Sequence, residues 1–101
     1  MAQFDVYKNP NRKTAERVPY LLDIQNDLLD GLATRTVVPL MTGVEPISHL
    51  NPIFSIENSE VVMVTQEMAT VPKEYCKTKV VSLEDERSAI VAAIDFLVTG
   101  F

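Results

Sequence analysis

The side chains with the strongest potential for acid–base chemistry are three carboxylates, Asp23, Asp27 and Asp30. Their spacing of four and three residues would bring them onto one face of a helix. The surrounding residues are instead typical of a strand end followed by a turn, where that alignment fails. The segment also lacks the alternating oxygen ligands and closing glutamate of a calcium-binding loop. We therefore interpret the three carboxylates as a solvated acidic surface.

The chain has a single cysteine, Cys76, and a single histidine, His49. They stand far apart in the sequence and supply too few ligands for a zinc site, and they form no convincing Cys–His catalytic pair. Lys77 and Lys79 would lower the thiol pKa if they lay close to it, although incidental placement is the simpler interpretation. His49 is predicted in a surface loop, where no neighbour would orient it as a base. With three widely separated glycines and no phosphate-binding loop, the sequence predicts no catalytic residue, metal or cofactor.

Length and composition predict one soluble globular domain over residues 1–101. The mass of 11.3 kDa allows one hydrophobic core, and 47% hydrophobic with 23% charged residues is ordinary for such a domain. The longest apolar run, residues 89–94, is too short to cross a bilayer, and the opening residues show no signal-peptide pattern. A lone cysteine allows no intrachain disulfide and favours a reducing compartment.

Charge is unevenly distributed along the chain, whose net charge is -5. In residues 1–20, Lys8, Arg12, Lys13 and Arg17 outnumber two acidic residues and leave a balance of +2. Residues 21–101 hold 5 basic and 12 acidic residues, a balance of -7. An acidic domain repels phosphate, which disfavours a primary nucleic-acid binder. The basic cluster is either a solvated loop or a docking site for an acidic partner.

Alternating apolar and polar residues predict a series of short strands. They span residues 3–7, 20–25, 36–40, 53–56, 61–65, 68–71 and 80–81. In the first strand Phe4 and Val6 would face the core, with the opposite side wet. Pro39 lacks a ladder donor and predicts an edge or a bulge for its strand. The two runs at 53–56 and 61–65 predict a hairpin, whereas residues 41–52 predict only a long connection.

The last segment changes to a helical period. Ser82 is placed to cap a helix, and Gly100 stands where a C-terminal cap glycine belongs. One stripe of this helix would face the sheet: Leu83, Ile90, Ile94 and Leu97. Beyond Ser88 the opposite face is also mostly apolar, which predicts a homodimer or another protein partner. Strands followed by one helix predict an α+β domain with a curled, mostly antiparallel sheet.

Several segments together resemble the CcdB toxins of toxin–antitoxin modules. They are QFDVY (3–7), LLDIQNDLLD (21–30), TRTVVPL (34–40), MVTQEMATVP (63–72) and AAIDFLVTGF (92–101). The most specific patterns are D-[VI]-Q-x-D-[IL]-[IL]-D, V-[VI]-P-L and M-x-[ST]-V-P. The resemblance covers nearly the whole chain in order, with little match over residues 41–51.

The resemblance implies an SH3-like curled antiparallel barrel with a small extra sheet and a long C-terminal helix, assembled as a homodimer. It implies no enzymatic activity. Such toxins bind the A subunit of DNA gyrase in the bacterial cytoplasm, trap the cleaved-DNA complex and arrest growth. A cognate antitoxin neutralises them through a disordered C-terminal segment, and the pair represses its own operon through DNA contacts of the antitoxin.

Site residues follow from the resemblance position by position. The implied gyrase contacts are Asn26, Leu28, Leu29, Asp95, Thr99, Gly100 and Phe101, and the implied antitoxin contacts are Lys8, Asn9, Arg12, Lys13 and Arg17. Thr99 replaces a tryptophan of the best-studied member, Phe101 an isoleucine, and Asp95 the family's asparagine. Threonine cannot stack on an arginine as tryptophan does. Two alternatives therefore stay open: an mRNA-cleaving toxin on the same barrel, and a repurposed module that only binds an antitoxin.

Overall fold

The structure is a computed structural model that describes residues 1–100. Phe101, an expected gyrase contact, lies outside the described residues. The strands are β1 (Asp5–Lys8), β2 (Tyr20–Asp23), β3 (Thr34–Met41), β4 (Ile53–Ile56), β5 (Ser59–Met63), β6 (Ala69–Pro72) and β7 (Lys79–Ser82), and the helix is α1 (Arg87–Thr99). All predicted strands are present, with ends shifted by a few residues.

The described strands form one curled antiparallel sheet, so the predicted α+β, SH3-like fold is confirmed. The strand order is β4-β5-β3-β2-β1-β7, and β6 pairs with β3 off this path. β3 is long enough to serve two partners on one side: β6 pairs with residues 34–37, and β5 pairs with residues 40–41. The small extra sheet is therefore continuous with the main one through β3.

The prediction that Pro39 places its strand at an edge or a bulge was wrong, because β3 lies in the middle of the sheet. The carbonyl of Pro39 accepts a hydrogen bond from the N–H of Val64, on the side of β3 that faces β5 and β6. The nitrogen of a strand residue points to the same side as its carbonyl. The missing donor of Pro39 thus faces the gap where β6 has ended and β5 has not begun, so that no ladder bond is lost.

The sheet is covered on both faces, which contradicts the predicted wet side of the first strand. Phe4 and Val6 enter the main core as predicted. Tyr7, expected in water, is buried in a second cluster with Leu21, Val37 and Cys76. The main core consists of Phe4, Val6, Tyr20, Leu22, Val38, Leu40, Phe54, Ile56, Val61, Met63, Leu83, Ile90 and Ala93. Strands β1 and β2 therefore lie between two packed layers.

Helix α1 begins later than predicted, after a 3-10 turn at Glu84–Glu86. The prediction that Ser82 caps the helix was wrong: Ser82 ends β7, and its hydroxyl oxygen accepts a hydrogen bond from the N–H of Glu84, the first residue of the turn. Leu83 and Ile90 are buried and Ile94 is half-buried, as the stripe predicted, whereas Leu97 is exposed. Gly100 has a φ of 79° in the left-handed region and ends the helix, as predicted. Within residues 1–100 no helix is both long and apolar enough to cross a membrane.

Two connections have a backbone that is fixed by local geometry or hydrogen bonds: the β4–β5 link and residues 41–52. Glu57 and Asn58, both at positive φ, form the two-residue link of the predicted hairpin β4–β5, which the structure confirms. The connection at residues 41–52 is fixed by Asn51, which is buried. The side-chain amide of Asn51 donates to the carbonyl of Met63, while its oxygen accepts from the N–H of Ile47.

Candidate functional site

The most exposed large apolar side chain described belongs to Leu28, which is 90% exposed. Leu28 lies on a 3-10 turn between β2 and β3, together with Leu29 (50% exposed) and, just beyond, Leu32 (49% exposed). We call residues 26–32 the leucine turn. Asn26, Leu28 and Leu29 were identified from the sequence as candidate contacts, but Leu32 was missed. The sequence feature that could have indicated Leu32 is a third leucine within an otherwise polar turn. Contiguous exposed apolar side chains of this kind mark protein-binding surfaces.

The backbone of the leucine turn is fixed by polar side chains at its base. Asn26 caps the turn, because its side-chain oxygen accepts a hydrogen bond from the N–H of Leu28 at 2.8 Å. The buried side chain of Gln25 donates to the carbonyl of Leu29 at 2.9 Å and accepts from the N–H of Thr36 at 3.0 Å. The carboxylate of Asp27 accepts from the N–H of Gln3 at 2.8 Å. The leucines are thus displayed on a preformed loop.

The interpretation of Asp23, Asp27 and Asp30 as a solvated acidic surface was wrong for Asp23, which is fully buried. Arg35, equally buried, donates from Nε at 3.0 Å and from a terminal nitrogen at 2.6 Å to one carboxylate oxygen of Asp23. Its other terminal nitrogen donates to the half-exposed Asp30 at 3.0 Å. Asp23 can be buried because its negative charge is paired with the positive charge of Arg35 on β3, on the side of the sheet that holds the second cluster. Asp27 is exposed, as predicted.

Burial shifts the pKa values of two groups on this side of the sheet, Asp23 and Cys76. Burial raises the pKa of Asp23, against the lowering effect of Arg35. Burial also raises the pKa of Cys76 to about 11, with the nearby Asp23 adding to the rise. The alternative in which lysines lower this thiol pKa is therefore wrong: Lys77 is exposed, and the Lys79 ammonium pairs with Asp5 at 3.2 Å. Cys76 is a buried structural residue.

The second group of expected gyrase contacts lies at the end of α1. Asp95, Thr99 and Gly100 are all exposed. The hydroxyl of Thr99 donates to the carbonyl of Asp95 at 2.7 Å, so it is occupied within the helix. Val98, between them, is 74% exposed. This end of the helix therefore combines an exposed valine with the exposed carboxylate of Asp95.

The helix end is steadied by a loop contact that the sequence did not reveal. The ring of His49 lies 5.8 Å from that of Phe96, centroid to centroid. His49 itself is exposed and lies in a loop, as predicted.

The leucine turn and α1 rest on the same main core. Ile24, which precedes the leucine turn, and Ile94, which precedes Asp95, both pack against that core. The helix also lies beside the 3-10 turn at Thr65–Glu67. Both groups of expected contacts are thus connected to the main core.

The expected antitoxin contacts lie at the end of β1, which holds Lys8, and on the connection from β1 to β2. Lys8, Arg12, Lys13 and Arg17 are exposed. Asn9 is half-buried and holds the loop closed, because its side-chain amide donates to the hydroxyl of Thr14 and to the carbonyl of Val18. A groove of about 310 Å³ opens beside the loop, lined by Lys13, Thr14, Arg17, Val18, Met41 and Glu67. The loop thus combines exposed positive charge with an adjacent concave surface.

No group of three or more His, Cys, Asp and Glu side chains among residues 1–100 is arranged to hold a metal ion. The sites described offer apolar contact, charge and hydrogen bonding to a partner.

Comparison with known protein families identifies a match over nearly the whole chain. A family profile described as CcdB protein matches residues 3–100, nearly the full length of this chain. The chain therefore belongs to the CcdB family, the toxins of toxin–antitoxin modules.

Proposed function

We propose that this member of the CcdB family is a non-enzymatic poison of DNA gyrase. It binds the A subunit of gyrase, traps the cleaved-DNA complex and arrests growth in the bacterial cytoplasm. The observation that carries the proposal is the exposure of Leu28 on a polar-braced turn, at a position to which the family resemblance assigns gyrase contact. A largely exposed leucine gains little from folding and is suited to fill a pocket of a partner.

The contact surface comprises the leucine turn and the end of α1. Asn26, Leu28 and Leu29 supply one patch, while Asp95, Thr99, Gly100 and Phe101 supply the other. A homodimer assembled through the outer apolar face of α1 presents two copies of each patch to a two-fold target, because two-fold symmetry duplicates every surface. Val91 and Val98 are exposed on that helix and support this assembly.

Neutralisation takes place at the basic loop. Lys8, Asn9, Arg12, Lys13 and Arg17 bind the disordered C-terminal segment of the cognate antitoxin, and their positive charge favours an acidic segment. The toxin then acts with the antitoxin in repression of its own operon and in plasmid maintenance. The antitoxin supplies the DNA contact, which agrees with the net charge of -5 of the toxin chain.

The test is an assay of purified protein with gyrase, supercoiled DNA and ATP, with an RNA substrate assayed in parallel. We expect gyrase-dependent DNA cleavage, intact RNA, and at least a tenfold loss of potency in Leu28→Ala, because a buried leucine anchor contributes about 2 kcal/mol. Ile53→Ala is the matched control, since Ile53 is a similarly aliphatic, half-exposed residue on β4. RNA cleavage without a gyrase effect would identify an mRNA-cleaving toxin. Antitoxin binding without either activity would identify a repurposed module.

A further inference from the structure

We infer that Arg35, a fully buried residue, is a positioning residue that holds the leucine turn in its binding conformation. This inference rests on the proposed function for its target, although the positioning itself can be measured without gyrase. Arg35 never reaches the protein surface, so it cannot contact a partner directly. It acts through its ion pair with Asp30, the last polar residue before Gly31.

The guanidinium of Arg35 donates hydrogen bonds to two different carboxylates. Its Nε and one terminal nitrogen are directed at Asp23, which fixes the guanidinium in the second layer. Its remaining terminal nitrogen reaches Asp30, at 3.0 Å. The planar guanidinium therefore links Asp30 in the leucine turn to Asp23 on the sheet. The link is rigid because the N–H donors of an arginine have a fixed geometry.

The leucines themselves supply little to hold the turn. None of the residues in the 3-10 turn Asp27–Leu29 is buried, so apolar packing does not fix its conformation. The turn depends on its polar contacts: the Asn26 cap, the Gln25 bond to Leu29, the Asp27 bond to Gln3, and the Arg35–Asp30 pair. Only the last is an ion pair to a buried cation. Preorganisation of this kind lowers the entropic cost of binding.

The variant that tests the inference is Asp30→Ala, because Asp30 is exposed enough for its removal to spare the core. Direct replacement of Arg35 would leave Asp23 buried and unpaired, and would unfold the protein for another reason. Asp30→Asn is the conservative variant, since its amide oxygen still accepts from Arg35. Glu45→Ala removes the same charge from another exposed loop and is the matched control.

The first readout is amide hydrogen exchange at Leu29 and Leu32, whose N–H groups bond within the leucine turn. We expect about tenfold faster exchange in Asp30→Ala, with near-native rates in Asp30→Asn and Glu45→Ala and in the core strands of all variants. Unchanged exchange at Leu29 and Leu32 in Asp30→Ala overturns the inference. This readout decides the positioning role even if wild-type protein fails to bind gyrase, a result that would overturn only the proposed function.

The second readout is a double-mutant cycle on gyrase affinity. We expect Asp30→Ala to weaken binding about fivefold in the wild-type background and less than about twofold in the Leu28→Ala background. That non-additivity is the signature of an effect exerted through Leu28. Equal losses in both backgrounds would show that Asp30 contacts gyrase directly or supports the fold generally, and would refute the positioning role.

Discussion

At the scale of single residues, the molecule satisfies its buried polar groups completely. Every buried side-chain nitrogen and oxygen in the described part of the chain has a hydrogen-bond partner. Arg35 and Asp23 pair in the second layer, and the hydroxyl of Tyr7 donates to Asp5 at 3.3 Å nearby. An unpaired group in such a layer costs several kcal/mol, so these residues specify one register of the strands.

Cys76 makes the free energy of unfolding depend on pH. Burial raises the pKa of its thiol from an ordinary value of 9.0 to about 11, so the folded protein keeps this proton to higher pH than the unfolded chain does. The contribution to stability is therefore fully present below pH 9.0 and is lost as pH rises toward 11. We expect a fall of about 2 kcal/mol in the free energy of unfolding across that window, measured by urea denaturation.

Cys76→Ala is the comparison for this measurement. Its free energy of unfolding should be lower throughout but should change less with pH over the same window. Burial also raises the pKa of Tyr7, with the nearby Asp5 adding to the rise, and burial with a hydrogen bond to Glu57 raises the pKa of Tyr20 to about 12. Both tyrosines therefore add a loss of stability above pH 10.0 in both proteins. Parallel pH profiles for the two proteins would contradict the role assigned to Cys76.

At the scale of elements, α1 is anchored to the core before its last turn. Ile90 and Ala93 lie in the main core, whereas Val98, Thr99 and Gly100 are exposed. A Cβ on Gly100 would meet no nearby side chain, so the described end of the helix is accessible to a partner.

Deletion of Gly100 and Phe101 is expected to abolish toxicity while leaving the fold and antitoxin binding largely intact. Within the described residues, the deletion removes the backbone hydrogen bond from the N–H of Gly100 to the carbonyl of Phe96. Growth of cells that express the truncated protein measures the loss of toxicity. Thermal denaturation and antitoxin binding of the same protein supply the controls, and retained killing would refute the assignment of these residues.

The prediction from sequence succeeded where the signal is local. Alternation in residues 20–25 and the polar link at Glu57 and Asn58 predicted a strand and a hairpin, because neighbouring residues decide both. It failed where the outcome depends on residues distant in sequence. Nothing near Asp23 indicates that Arg35 will neutralise it, and nothing near Pro39 indicates that two strands share one side of β3.

The same distinction applies to the candidate site. A resemblance in residues 21–30 identified Asn26, Leu28 and Leu29 because the motif is contiguous. Arg35, which braces the same turn from the next strand, carries no local signal, since an arginine on a strand is ordinarily a surface residue.

At the scale of the whole molecule, four of the basic residues cluster around one loop of an acidic body: Lys8, Arg12, Lys13 and Arg17. The molecule measures 32 × 30 × 22 Å, so its longest dimension is about four Debye lengths at physiological salt, and charges on opposite sides are screened from one another. Charge on this loop therefore acts mainly at short range, on a segment that approaches the groove beside Arg17.

Reversal of charge at Lys13 and Arg17 to glutamate is expected to slow antitoxin association about tenfold at low salt, with a smaller change in dissociation. The difference should shrink as salt is raised, because both residues are exposed. Lys13→Arg with Arg17→Lys keeps the charge and serves as the control. Equal association rates for the reversed and control variants would exclude the basic loop as the antitoxin contact.

The covering of both faces of the sheet has a consequence for the evolution of this protein. Every residue of β2 is buried, with Tyr20 and Leu22 in one layer and Leu21 and Asp23 in the other, so almost any substitution there damages packing. The leucine turn begins only a few residues later and has no buried member in its 3-10 segment. The exposed leucines of the turn can therefore change during evolution to fit a changing target, while the buried strand beside them is conserved. The residues free to change and the residues that hold the fold lie only a few positions apart in the chain.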